Sequence, residues 1–293
     1  MIKLYCKSFN FGESGGNPAG VVIFPENETM SEQEMLAVSA EIGFSETAFI
    51  TPRGDANYDV RFFTPTTEVE LCGHATIASF YCLAVLAQRE GRLLPNLLWQ
   101  NTKAGRLSIE ILYEQNAVRS VLMEQAEPRA YGVIKGECKE NIAASLALTT
   151  EDLTLSEQDI QPQIISTGLR DVIIPVRNRE TLNRIVLDKQ KVSNISRELD
   201  VVGYHVYTME RGQIYTRNFA PYVGIDEECA TGTSNGALAY LLRSKGLIGS
   251  YVEILQGEVM GELSKICVNV TEKDGKYRVL VGGTAAITKE FRR

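Results

Sequence analysis

Histidine is scarce in this sequence, with two in 293 residues, and its six cysteines form no Cys-x-x-Cys pair. That shortage excludes the usual structural zinc arrangements, which draw four closely spaced Cys and His ligands, so no metal is expected. No run of 18 apolar residues occurs, which argues against a membrane-spanning helix. Met1–Lys7 passes straight into polar sequence without a leader's apolar stretch, and the expected compartment is the cytoplasm, where thiols stay reduced. The loop Gly12–Gly20 is rich in glycine but has neither the GxGxxG order nor GxxxxGK followed by Ser or Thr. It reads as a tight turn, and no nucleotide or other organic cofactor is expected. Clusters of Lys and Arg are also missing, and a formal net charge of −7 repels phosphate backbones and anionic lipid, which argues against nucleic acid or membranes as partners.

What is present is an ordinary globular composition, 44% hydrophobic and 23% charged, at a length that suits two domains of roughly 100–150 residues. An internal repeat supports the division. Arg61-Phe62-Phe63-Thr64-Pro65 recurs as Arg217-Asn218-Phe219-Ala220-Pro221, and Gln100 through Ser108 recurs as Gln256 through Ser264, both at an offset of 156. Between these anchors Cys72-Gly73-His74-Ala75-Thr76 falls opposite Cys229-Ala230-Thr231-Gly232-Thr233, one residue out of step, and Gly43-Phe44-Ser45-Glu46 resembles Gly168-Leu169-Arg170-Asp171 at a shorter offset. Runs such as Gly20–Phe24, Thr47–Ile50 and Tyr58–Phe63 read as strands. The segments Ala75–Gln88 and Ser234–Arg243 are apolar almost all round, the pattern of a helix enclosed by protein. The expected architecture is α+β and duplicated, strands surrounding one buried helix twice over, with a cleft between residues 1–125 and 126–280 and a linker near Glu124–Pro128.

Chemistry gathers where each strand gives way to its helix. The first turns of a helix leave backbone N–H groups unpartnered, and with the helix dipole these favour a carboxylate and lower the pKa of a thiol. Cys72 and Cys229 are therefore read as a facing pair at two helix starts, suited to two-base proton transfer on an amino or hydroxy acid. Cys6, Cys82, Cys138 and Cys267 lack that setting and are assigned to the core. His74 is a donor to substrate oxygen and a proton shuttle, or a solvated turn residue. Glu46 carries no distinguishing signal from its residue type, since most glutamates at strand starts are simply exposed.

These segments, with Gly16-Asn17-Pro18-Ala19-Gly20-Val21-Val22, Phe44–Phe49, Ala230-Thr231-Gly232-Thr233-Ser234 and Val281-Gly282-Gly283, resemble the PhzF-like family of phenazine biosynthesis, within the wider diaminopimelate epimerase and proline racemase fold. The resemblance covers essentially the whole chain. It implies two halves, each a strand barrel around a central helix, a C-terminal strand, 281–293, that crosses back to the first, and a homodimer. It also makes Glu46 the proton-transferring base and His74 the residue that holds or reprotonates substrate. Asn17, Gly73, Glu228, Thr231, Gly232 and Thr233 become substrate contacts. Where the family reads Glu-Asp-Pro-Ala-Thr-Gly this chain has Glu227-Glu228-Cys229-Ala230-Thr231-Gly232, so Glu228 stands for Asp and Cys229 for Pro. The cysteines match the catalytic thiols of the epimerases instead. The sequence thus implies an isomerase, racemase or epimerase working on a small carboxylate through Cys72 and Cys229, through Glu46, or through both. The alternative is a paralogue that binds a carboxylate without turnover.

Overall fold

A computed structural model of the chain describes residues 1–12, 15–54, 56–155 and 160–292. Glu13 and Ser14 of the glycine-rich loop lie outside the described residues. The chain divides into two compact units, Met1–Glu124 with Gly282–Arg293, and Gln125–Val281.

The first unit opens with β1 (Ile2–Ser8) and β2 (Asn17–Ile23), an antiparallel pair. From β2 the chain crosses through α1 (Glu32–Ile42) to β3 (Thr47–Pro52), which runs parallel to β2; parallel neighbours require such a crossover. Ser31 and Glu34 form a capping box at the start of α1, and Gly43 ends the helix in the left-handed conformation at φ 72°, where glycine has no Cβ to clash. Phe24, Met35, Phe49 and Phe63 pack together under α1, each worth about 1.5–3 kcal/mol of apolar burial. The unit continues through β4 (Asn57–Phe63), β5 (Glu68–Val69), α2 (Gly73–Arg89), β6 (Leu97–Thr102), β7 (Gly105–Glu114) and β8 (Ala117–Glu124), and a last strand, Ala285–Arg292, pairs with β1. The strands curl round α2, which touches β1, β2, β3, β7, β8 and the last strand. Four buried alanines, Ala75, Ala78, Ala84 and Ala87, let those strands approach the helix axis. The buried hydroxyls of Thr76 and Ser79 donate back to the Cys72 and Ala75 carbonyls, so the enclosed helix buries them satisfied.

The second unit repeats the plan. Strand β9 (Arg129–Val133) is followed by α3 (Gly136–Ser145), β10 (Gln163–Ser166), β11 (Arg170–Pro175), α4 (Arg179–Asn183) and α5 (Lys189–Leu199). Strand β12 (Gly203–Glu210) then runs parallel to β11, as β3 does to β2. Next come β13 (Gln213–Ala220), β14 (Ile225–Glu228), the buried helix α6 (Gly232–Ser244), β15 (Tyr251–Gln256), β16 (Ser264–Lys273) and β17 (Lys276–Gly283); the final strand, β18, is Ala285–Arg292. Helix α6 contacts β10, β11, β12 and β16. The strand anchors of the repeat carry matching interactions. Arg61 forks onto Glu68 and lies over Phe63, while Arg217 forks onto Glu227 and lies over Phe219. Each unit therefore has strands round one central helix, in the duplicated α+β arrangement. Among the described residues, no helix is long and apolar enough to cross a membrane.

Candidate active site

The first unit gathers Glu46, Cys72 and His74. Glu46 immediately precedes β3, and its carbonyl accepts from the Gly20 amide at 3.0 Å. That approach needs glycine: a Cβ on Gly20 would sit 2.5 Å from the Thr47 hydroxyl oxygen. Cys72 is the N-cap of α2, and its side chain makes no capping bond, so the first-turn amides keep their capacity for an anion. His74 stands in the first turn. Its carbonyl accepts from Ser8 Oγ at 2.5 Å, and Asn17 opens β2 in register with Ser8. The imidazole Nε2 lies 3.3 Å from Glu46 Oε2, and Cys72 Sγ lies 3.4 Å from Nδ1. Burial holds the His74 pKa below its ordinary value, against the opposing pull of the Glu46 carboxylate and of a bond to the Pro18 carbonyl. At neutral pH the ring is therefore an uncharged donor and acceptor. Gly73, the first residue of α2, has room for a side chain, since its added Cβ would meet only Met123 Cε at 3.8 Å; nothing steric there demands glycine.

In the second unit the structure corrects the pairing of the cysteines. The N-cap of α6 is Thr231, and Cys229 lies two residues before it. Three sets of bonds fix the equivalence. Thr76 Oγ1 donates to the Cys72 carbonyl and Asn235 Nδ2 to the Thr231 carbonyl, both at 2.8 Å. Thr76 and Asn235 also donate to Gln100 and Gln256 respectively. Ser8 holds the His74 carbonyl as Thr167 holds that of Thr233. Thr231, Gly232 and Thr233 are thus the counterparts of Cys72, Gly73 and His74, and Cys229 matches Glu70. Burial and the neighbouring Glu228 push the Cys229 thiol up, not down, the reverse of what a nucleophilic or basic thiolate needs. The match of Gly43–Glu46 with Gly168–Asp171 is corrected too. Phe63 faces Thr47 across β4 and β3, and Phe219 faces Tyr204 across β13 and β12, so the place of Glu46 is taken by Gly203. The second unit has no equivalent of that carboxylate.

What it has instead, unforeseen from the sequence, is a buried chain of hydrogen bonds. Asn218 Nδ2 meets His205 Nδ1, and His205 Nε2 meets Asn235 Oδ1, each at 3.1 Å. Asn235 donates to Gln256, Gln256 to Thr231 Oγ1, and Thr231 Oγ1 to Glu228 Oε2 at 2.7 Å. A second arm runs from Asn218 through Ser234 to Asp171. Every donor points towards a carboxylate, which fixes His205 as the Nε2–H tautomer. Burial drives the His205 pKa down to about 4 and the Asp171 pKa up to about 7. The signal available in the sequence was a set of polar residues at positions whose counterparts or neighbours are apolar, such as Asn218 against Phe62.

Of the remaining cysteines, Cys6, Cys82 and Cys267 are buried, whereas Cys138 is half-buried. Residues 8–290 match the model of a family described as phenazine biosynthesis-like protein. An uncharacterized isomerase of Clostridium acetobutylicum is 34% identical, covering 98% of this chain and 97% of its own. A trans-2,3-dihydro-3-hydroxyanthranilate isomerase of Pseudomonas fluorescens is 25% identical over 85% of this chain and 83% of its own. Among solved structures, a PhzF-family protein of Bacillus anthracis superposes with a TM-score of 0.81 at 27% identity, covering 99% and 98% of the two chains. A hydroxyproline epimerase of Agrobacterium vitis shares the fold at a TM-score of 0.58 and 12% identity, with 99% and 91% covered.

Proposed function

The chain belongs to the phenazine biosynthesis-like family and is an isomerase, and on that premise we propose that Glu46 is the base of a cofactor-independent proton transfer on a small carboxylate. The observation that carries this reading is the Glu46–His74 contact of 3.3 Å at the uncapped start of α2. Glu46 takes a proton from a substrate carbon, and the proton is returned at another carbon or face, so substrate and product have the same atoms. Charge that builds on the substrate carboxylate is met by the first-turn amides of α2. His74, uncharged, donates to a substrate oxygen or returns the proton. Cys72 packs against the imidazole and holds its plane. Asn17 and Gly73 contribute polar contacts beside them, and Thr231, Gly232, Thr233 and Glu228 offer the same donor and acid chemistry at the start of α6.

This reading is preferred to two-thiol chemistry because Cys229 lies two residues before the helix start and burial beside Glu228 pushes its thiol up. Substrates for the first assay follow from the named relative: trans-2,3-dihydro-3-hydroxyanthranilate and related unsaturated hydroxy and amino acids. Incubation in D₂O followed by proton NMR should show loss of a carbon-bound proton signal from at least one of them. If every compound of that class, and simple amino and hydroxy acids besides, keeps its full signal, the catalytic reading gives way to carboxylate binding without turnover.

A further inference from the structure

The same three side chains have a second property that proton transfer does not use. One ligand atom from each of Glu46, Cys72 and His74 lies within 4.8 Å of the others. At Nε2 the N···O edge is 3.3 Å, while Cys72 Sγ lies 3.8 Å from Nε2 and 3.4 Å from Nδ1, beside the ring. A tetrahedral zinc ion on Nε2 with ordinary bond lengths sets N···O at about 3.3 Å and N···S at about 3.6 Å, with the sulfur beyond Nε2. The carboxylate is therefore already placed, and the Cys72 thiol turns about its χ1 to complete the site. We propose that Glu46, Cys72 and His74 form a site for a borderline-soft divalent cation such as zinc, whose binding reversibly blocks the base.

The ligand set is thiolate, imidazole and carboxylate, the mixture that suits zinc and cobalt over magnesium or calcium. Three protein ligands leave a fourth position open to water or to a carboxylate. The supports of Glu46 and His74 are in place. The imidazole bonds to the Pro18 carbonyl, the kind of partner that orients a metal-binding histidine. The backbone at Glu46 is tied to Gly20, and that at His74 to Ser8. Binding exchanges the Cys72 thiol proton, which leaves to buffer, for a metal–sulfur bond, with no change of oxidation state. The cation is an inhibitor here and not a cofactor: it occupies the lone pairs that would accept the substrate proton.

The inhibition rests on the function proposed above, but the binding does not, and the test separates them. Cobalt(II) is titrated into the reduced, metal-free full chain, and the thiolate-to-cobalt charge-transfer band is followed together with the visible bands of tetrahedral cobalt. One equivalent should saturate the signal. Cys72→Ser should abolish the charge-transfer band, and His74→Gln should weaken binding beyond the ~10–100-fold typical of outer-layer partners. Cys138→Ser should change neither. Circular dichroism checks that each variant folds; if Cys72→Ser does not, the outcome is read from His74→Gln and from competition of zinc for the cobalt signal. No saturable band in the wild type, a band retained in folded Cys72→Ser, or one lost in Cys138→Ser would each overturn the site. Zinc should stop proton exchange and a chelator restore it; exchange untouched by saturating zinc would refute the block while leaving the binding result to stand.

Discussion

The buried chain in the second unit makes a quantitative demand on how stability varies with pH. Asp171 is almost fully buried, and desolvation overrides its bonds from Ser234 and the Gly203 amide to bring its pKa to about 7. In an unfolded chain an aspartate titrates near 3.9. Between those values the folded state keeps a proton that the unfolded state has lost, so the contribution of Asp171 is fully present below about pH 4 and is lost as pH rises through 7. At about 1.4 kcal/mol per unit, the loss is about 4 kcal/mol. His205 works in the opposite sense. Its folded pKa of about 4 lies below the unfolded value near 6.5, so its contribution is present above 6.5 and falls away by about 3 kcal/mol as pH drops to 4. The wild type therefore hides two opposed slopes. Asp171→Asn keeps the shape and one acceptor oxygen but abolishes one titration, so its stability relative to wild type should climb by about 4 kcal/mol between pH 4 and 7. His205→Gln should drift the other way, losing ground to wild type by about 3 kcal/mol as pH rises from 4 to 6.5. Urea denaturation followed by far-ultraviolet circular dichroism at half-unit pH steps measures both differences, and other groups cancel in the comparison. A difference between Asp171→Asn and wild type that is independent of pH would refute the reasoning.

Two further changes test the framework around the chemistry. Gly20→Ala pushes a methyl group against Thr47 and Ile42, which should cost about 1–3 kcal/mol in a denaturation midpoint and slow proton transfer by displacing Glu46. Arg217→Ala strips the side chain that forks onto Glu227 and bonds the Leu182 and Ile185 carbonyls; with Arg217 only 8% exposed, the loss should reach about 3–5 kcal/mol. Arg61→Ala in the first unit should cost less, because Lys103 remains on Glu68 and Arg61 is a third exposed.

Much of the architecture was legible because duplication left its strongest trace where packing is strictest. Arg61 and Arg217 both need an acidic partner and an aromatic face, and Gln100 and Gln256 are both fully buried against the helix start, so those segments kept the offset of 156. The helix starts did not. Three extra residues lie between the strand anchor and the N-cap in the second unit, where a 3₁₀ turn, Pro221–Val223, is accommodated, and the shorter helix, 13 residues against 17, restores the offset afterwards. Matching cysteine to cysteine ignored that local shift, and only backbone geometry reveals that Thr231 is the cap. Glu46 was legible through family resemblance alone, since what singles it out is a neighbour 28 positions away, His74, brought to it by the parallel pairing of β2 and β3. The polar chain from Asn218 to Glu228 joins five elements, β12, β13, β14, α6 and β15, and its one trace in the sequence, polar residues opposite apolar counterparts, does not say which of them meet.

The central claim, that one carboxylate and not a pair of thiols moves the proton, is tested most directly by comparing two variants in the deuterium-exchange assay with a compound that the wild type exchanges. Glu46→Gln keeps the size of the side chain and removes its basicity, so exchange should slow by the ~10²–10⁴-fold that general-base catalysis commonly supplies, while Cys229→Ala should stay within a few-fold of wild type. Exchange that survives Glu46→Gln and disappears in folded Cys229→Ala would contradict the account.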